Sequence, residues 1–210
     1  SMAIDDIYDE HEQGERVRAW LRQNALGLLG GIGLGLALIF GWQYWQKHLG
    51  NKQVEAGNRF QAVVNAAGAG DLEQAQAAAG ALSGDTYPVL AALAIAKAQL
   101  EAGDPAAAIE TLRSAPASDP ALEPVRRHRL ALLLIDAGEA AQAVELLAGS
   151  EDPFALESLG DAHAVLGDRD AAAQAYGSAL ERMDEEAPQR RLLELKLIDA
   201  GGEPAQSGTI

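Results

Sequence analysis

The chain has no cysteine, so it offers no disulfide framework, no thiolate metal ligand and no thiol nucleophile. Its four histidines, His11, His48, His128 and His163, are scattered, without an HExxH pair or metal-ligand spacing. Basic residues are scarce: 16 Lys and Arg stand against 31 Asp and Glu, a formal charge of −15. Phosphate neutralisation needs basic clusters, so this balance argues against nucleic-acid binding. It argues equally against a domain lying flat on anionic lipid. Alternating Val/Ile/Thr runs are absent, which leaves no sheet to assign. Serines fall mostly at turns, as at Ser83, Ser114 and Ser150, and the acids Asp184, Glu185 and Glu186 read as solvated charge near a helix end. No catalytic residue, no metal ligand and no cofactor is predicted, and the chain reads as a non-enzyme.

What the sequence does have is one long apolar run. Residues 23–46 carry no charge and lie between Arg22 and Lys47. As a helix, residues 25–45 would rise roughly 31 Å, the thickness of a bilayer's hydrocarbon core. Soluble helices carry one apolar stripe and one polar face. Here every face is apolar from Ala25 to Gly41, and Trp42, Tyr44 and Trp45 then cluster where aromatic rings settle at the headgroup level. A cleaved signal peptide is the rival, but the run is too long and Trp-Gln-Tyr-Trp is a poor cleavage site. The prediction is a transmembrane helix over 25–45.

Gly27, Gly31 and Gly35 recur every fourth residue of this run, and Gly33, Ala37 and Gly41 form a second row. Small residues at that spacing let another helix approach closely. Glycine is also simply common in membrane helices. The first row and the aromatic end, Trp42, Tyr44 and Trp45, are expected to contact a partner span. Flanking charge does not orient the helix: Arg16, Arg18 and Arg22 precede it, and Lys47, Lys52 and Arg59 follow. Ser1 ahead of Met2 reads as an expression remnant.

The rest of the chain repeats itself. Gly70, Gly103, Gly138 and Gly167 are each followed by an acid and then an alanine-bearing helical stretch. Their spacings of 33, 35 and 29 residues centre on the period of tetratricopeptide repeats. Each glycine suits a left-handed helix end, and each Asp or Glu suits the cap of the next helix. Ala75, Ala108, Ala143 and Ala172, five residues past the glycines, are small enough for close packing. The fourth repeat fits best, with Leu159-Gly160 in its first helix and Tyr176 and Ala179 in its second. Pro120 ends the second repeat, and Pro88 sits in the first turn of a helix. After Pro188, Leu192, Leu193, Leu195, Leu197 and Ile198 give a last helix an apolar face, assigned to cap the stack. The predicted architecture is all-α: an N-terminal segment 1–24, the span 25–45, a tetratricopeptide-like repeat domain 46–202 and a tail 203–210.

Counting back from the turn glycines places the inward positions of the first helices. They are Phe60, Val64, Leu90, Leu93, Lys97, Val125, His128, Leu132, Phe154 and Glu157. These form a groove for a hydrophobic segment, or else pack internally or under the capping helix.

The pattern resembles one family, the YfgM-type ancillary subunits of the bacterial SecYEG translocon. The resemblance is carried by Ile7-Tyr8-Asp9-Glu10-His11-Glu12-Gln13, by Ala19-Trp20-Leu21-Arg22-Gln23-Asn24, by the glycine-rich span ending in Gly41-Trp42-Gln43-Tyr44-Trp45, and by Thr86-Tyr87. It implies a single-pass protein of the bacterial inner membrane, with a cytoplasmic N-terminus and a periplasmic repeat domain. It also implies association with the SecYEG translocon and with PpiD, a membrane-anchored periplasmic chaperone, in handling newly exported client proteins. Repeats of this kind serve many functions. A membrane-anchored scaffold for another cell-envelope assembly process therefore stands as the alternative.

Overall fold

A computed structural model describes residues 2–203, with side chains from Gly14 onward. The predicted tail lies outside the described residues beyond Glu203. Among the described residues the regular structure is nine α-helices: α1 Met2–Gly68, α2 Leu72–Ala79, α3 Thr86–Glu101, α4 Pro105–Ser114, α5 Glu123–Asp136, α6 Ala140–Leu147, α7 Pro153–Val165, α8 Arg169–Arg182 and α9 Arg190–Asp199. The chain divides into two units, Ser1–Glu55 and Ala56–Ile210.

The first unit is helical through the whole predicted span. No proline interrupts α1, and Lys47, Lys52 and Glu55 past the span are good helix formers, so the helix does not stop at Trp45. Its described part, Gly14–Gly68, is long and apolar enough to cross a membrane, with a mean hydropathy of 1.9 over its most apolar stretch and none of that stretch buried. Leu26, Leu29, Leu34, Leu38 and Phe40 are all exposed. An apolar helix without an apolar neighbour in its own unit is matched to lipid.

The second unit is a row of helical hairpins. Val63, Ala66 and Ala67 in the last turns of α1 share a core with Ala75 of α2 and Ala91 of α3, then α3 pairs with α4, α5 with α6 and α7 with α8, and α9 packs on α8. Each turn is made as the spacing predicts. At Gly103 (φ +82°) the chain turns left-handed, and the amides of Gly103 and Asp104 bond back to the carbonyls of Leu100 and Gln99. The same doubled bond closes the turns at Gly70, Gly138 and Gly167, and again after α9 at Gly201. Asp71, Asp104 and Asp168 then cap α2, α4 and α8 through the amides of Gln74, Ala107 and Ala171. Glu139 departs from the expectation: its longer side chain makes no cap bond and accepts from Gln142 Nε2 instead.

The four alanines past the turn glycines, Ala75, Ala108, Ala143 and Ala172, are fully buried. The core lies between successive hairpins. Leu112, Leu130, Leu134 and Leu147 fill its middle, Val63, Ala91 and Ile95 its first part, and Leu156, Tyr176, Leu193 and Leu197 its last. The final helix covers the stack with only part of its apolar residues. Leu193 and Leu197 point inward, while Leu192, Leu195 and Ile198 are exposed. At about 100° per residue these five cannot share one face, so the capping role assigned to all of them falls to two.

Two glycines in this unit should respond oppositely to the same change. At Gly160 an added Cβ would overlap the Tyr176 ring, whereas at Gly177 it would meet nothing within 4 Å. Gly160→Ala is expected to lower stability by about 1–3 kcal/mol through overpacking. Gly177→Ala, in the interior of α8, is expected to raise it by about 0.5–1 kcal/mol through helix propensity. Thermal unfolding of the two variants beside the parent checks both signs.

Candidate interaction surfaces

The ten predicted groove positions all lie on the sides of first helices, and none is fully buried. Lys97, Val125 and Phe154 are exposed, and the other seven are half-buried. They do not form one continuous hollow. Leu93, Lys97, Val125 and Leu132 come together in a groove of about 670 Å³ between α3 and α5, completed by Leu100, Arg129 and Asp136. Val125, His128 and Phe154 line a second hollow of about 790 Å³ between α5 and the start of α7. Val125 and Arg129 line both, so the two hollows flank the same side chains of α5. Phe60 turns instead onto the Tyr87 ring, with centroids 5.5 Å apart, and Val64 and Leu90 line neither hollow.

His128 hydrogen-bonds Ser158 Oγ at 2.8 Å. Burial pulls its pKa below the usual histidine value, so near neutral pH the ring is a neutral polar wall of the second hollow. Glu157 is not free to meet a ligand. Lys196 reaches from α9 to Glu157 Oε1 at 2.7 Å and to Asp161 Oδ2 at 2.9 Å, while Tyr176 donates to Asp161 Oδ1 at 2.8 Å. Burial works against the Lys196 charge, but the two carboxylates outweigh it and raise the pKa above the ordinary 10.5. This cluster closes the far end of the predicted strip. Sequence spacing placed Glu157 on the right helix side but could not show the lysine 39 residues on that covers it.

The run Arg126-Arg127-His128-Arg129 was also undervalued by composition. Arg126 is buried, doubly paired to Glu123, and donates to the Leu112 carbonyl at 2.6 Å, tying α5 to the end of α4. Arg127 donates to the Leu146 carbonyl. Arg129 alone of the run is exposed and forms no ion pair or hydrogen bond among the described residues.

On the span, a Cβ added at Gly27, Gly31 or Gly35 would meet nothing within 4 Å. The chain's own packing therefore does not demand these glycines. Trp42 and Trp45 meet edge to face at 5.5 Å, and Tyr44 stacks on His48 at 6.3 Å, so the aromatic end is ordered along one helix. Among the described residues no group of three or more His, Asp and Glu is placed to hold a metal ion.

Residues 18–202 match the sequence profile of the tetratricopeptide repeat-like domain. The chain belongs to that family. It is also similar to the ancillary SecYEG translocon subunit of Escherichia coli (strain K12), at 29% identity over 147 residues, which is 68% of this chain and 71% of that protein. No solved structure matches it. The family resemblance read from the sequence is thereby confirmed, as is the all-α fold. With one N-terminal apolar helix ahead of the repeats, this member of the tetratricopeptide-like family is membrane-anchored.

The Lys196 cluster gives a pH dependence. A lysine whose folded pKa lies above the unfolded one adds stability that is complete below the unfolded value and fades as pH rises through the folded value. The α9 attachment is therefore expected to hold across neutral pH and to weaken only above about pH 10.5. Lys196→Met, which leaves Glu157 and Asp161 facing each other without their cation, is expected to cost about 1–3 kcal/mol at pH 7. Denaturant unfolding of both proteins at pH 7 and pH 11 tests this, since the gap should narrow at the higher pH.

The half-buried groove wall and the true core should also separate. Leu134 is 1% exposed, whereas Leu93 and Leu132 are half-buried and line the groove. Leu134→Glu buries an unpaired charge and is expected to lower stability by more than about 4 kcal/mol. Leu93→Glu and Leu132→Glu are expected to cost less than about half of that, because their carboxylates reach water. Melting temperatures of the three variants decide it.

Proposed function

We propose that this protein is an inner-membrane-anchored scaffold that associates with the SecYEG translocon and helps pass newly exported proteins to a PpiD-like periplasmic chaperone. The observation that carries the proposal is the similarity to the ancillary SecYEG translocon subunit, which covers two thirds or more of both chains. The repeat unit suits the task physically. Stacked first helices offer a side surface on which a peptide or partner helix can lie, and here that surface holds a partly apolar strip. The work is binding, not bond-making, and no cofactor enters it.

In this reading residues 1–24 are cytoplasmic, residues 25–45 span the membrane, and residues 46–202 work in the periplasm. The Gly27, Gly31 and Gly35 row faces a partner span, with Trp42, Tyr44 and Trp45 at the headgroup level. The four-residue spacing of the three glycines supports this, because it lines small residues along one helix side where a second helix can approach closely. The strip between α3, α5 and α7 is the partner-facing surface.

Purification of the full chain from membranes in mild detergent should recover translocon subunits. Gly31→Leu together with Gly35→Leu should lower that recovery several-fold while leaving membrane insertion intact. Protease added to spheroplasts should digest the repeat unit without permeabilising the inner membrane. Recovery of a different envelope assembly in place of the translocon, or a repeat unit protected in spheroplasts, would overturn the proposal.

A further inference from the structure

The groove lining contradicts the charge of the protein that contains it. The chain carries −15 overall, yet its α3–α5 groove is lipped by Lys97 and Arg129 against one carboxylate, Asp136. Asp136 lies seven residues along α5 from Arg129, roughly 10 Å up the helix axis, and does not pair with it. On the α5–α7 side the acids are Glu151 and Asp152. Asp152 is occupied in capping α7 through the Ala155 amide at 2.8 Å, and neither acid forms an ion pair with Arg129. Lys97 has only a loose, exposed pair with Glu101 at 3.7 Å.

Among the described residues Arg129 is therefore an exposed guanidinium without a hydrogen-bond or ion-pair partner, and it borders both hollows. Its neighbours in the lining are Leu93, Leu132, Val125 and Phe154. An arginine beside apolar surface is a preorganised two-pronged site for a carboxylate, which pairs with it through parallel N–H donors. Water near the apolar walls is displaced by a bound segment, which strengthens such a pair beyond its exposed value.

We propose that this strip seats an apolar peptide segment bearing an internal aspartate or glutamate, whose carboxylate pairs with Arg129. The position of the arginine selects an internal acid over a chain end. Apolar lining continues from it toward α3 and toward α7, so a segment extends in both directions past the pair. The overall −15 selects against polyacidic segments, since every further acid is repelled by the rest of the unit. Specificity then comes from one charge set among apolar side chains.

The proposal rests on the strip being the partner-facing surface, and its test is independent of the translocon. The probes are three fluorescein-labelled peptides with the apolar sequence Gly-Ala-Leu-Phe-X-Leu-Ala-Gly. Two have capped ends, with X as glutamate or glutamine; the third has glutamine and a free C-terminal carboxylate. Binding to the full chain in lipid nanodiscs is read by fluorescence anisotropy. The glutamate peptide is expected to bind about five- to tenfold tighter than either glutamine peptide, a difference typical of a charge-assisted pair in a partly dry site. Arg129→Gln should reduce that preference to within about twofold and leave glutamine-peptide binding unchanged, while Arg182→Gln on α8 should leave the preference intact. Added salt should shrink it. A preference that survives Arg129→Gln, equal binding of all three peptides, tighter binding of the free-carboxylate peptide, or no binding at all would overturn the inference. Translocon recovery from the same Arg129→Gln membranes tells a failed groove from a failed scaffold, because the span glycines carry the latter.

Discussion

The repeat unit depends on how closely the two helices of a hairpin approach, and one alanine methyl sets that distance. Ala75, Ala108, Ala143 and Ala172 have no exposed surface at all. A larger side chain at any of them would push the second helix off the first, and the displacement would pass to the next hairpin, since each packs on its neighbour. The left-handed glycine five residues earlier makes the approach possible by reversing the chain in two residues. The aspartate after it secures the new helix by taking up an otherwise unpaired amide. Position 139 shows the tolerance of the scheme. A glutamate there forgoes the cap bond, and α6 still forms because Ala143 and Leu147 are buried beside it.

Close packing of second helices against first leaves the outward sides of α3, α5 and α7 uncovered, and the functional surface follows from that. Partly exposed Leu93, Leu132 and Phe154 are not failures of burial. They sit at the edge of the core, with one side on protein, as Leu93 packs on the middle cluster, and the other side open. At the far end Lys196 supplies the missing cover for Glu157 and Asp161, so the strip is open along α3 and α5 and shut at α7–α9. The gradient from open apolar wall to closed polar clasp gives the surface a direction, which a uniform stack would lack.

Much of this was legible in the sequence because it is periodic. Turn glycines, capping aspartates and buried alanines sit at fixed offsets, and the offset alone assigns their jobs. The span was legible for a different reason: an uncharged run of bilayer length has few other uses. The parts that escaped the reading are those in which identical residue types do different work. Three arginines within four residues of α5 end up as a buried tie to the Leu112 carbonyl, a bond to the Leu146 carbonyl and an exposed guanidinium unpaired among the described residues. Helix rotation of about 100° per residue separates them onto different sides, and only the neighbours on each side decide the role. Lys196 is similar, since a lysine in a leucine-rich terminal helix reads as surface charge until α7 is placed beneath it.

The helix α1 then links the two kinds of surface through sequence alone. Its apolar residues are exposed on all sides in the first unit, whereas its last turns bury Val63, Ala66 and Ala67 in the first hairpin. One helix thus changes solvent along its length, from lipid to protein core, and its composition changes with it. The region between, Lys47 to Arg59, holds three basic residues, Lys47, Lys52 and Arg59, against one acid, Glu55. Basic side chains with long apolar stems suit that boundary, where the stem lies along the apolar run and the charge reaches the headgroups. The uncharged run stops at this boundary, leaving Leu49 and Val54 as isolated apolar residues, even though the helix continues.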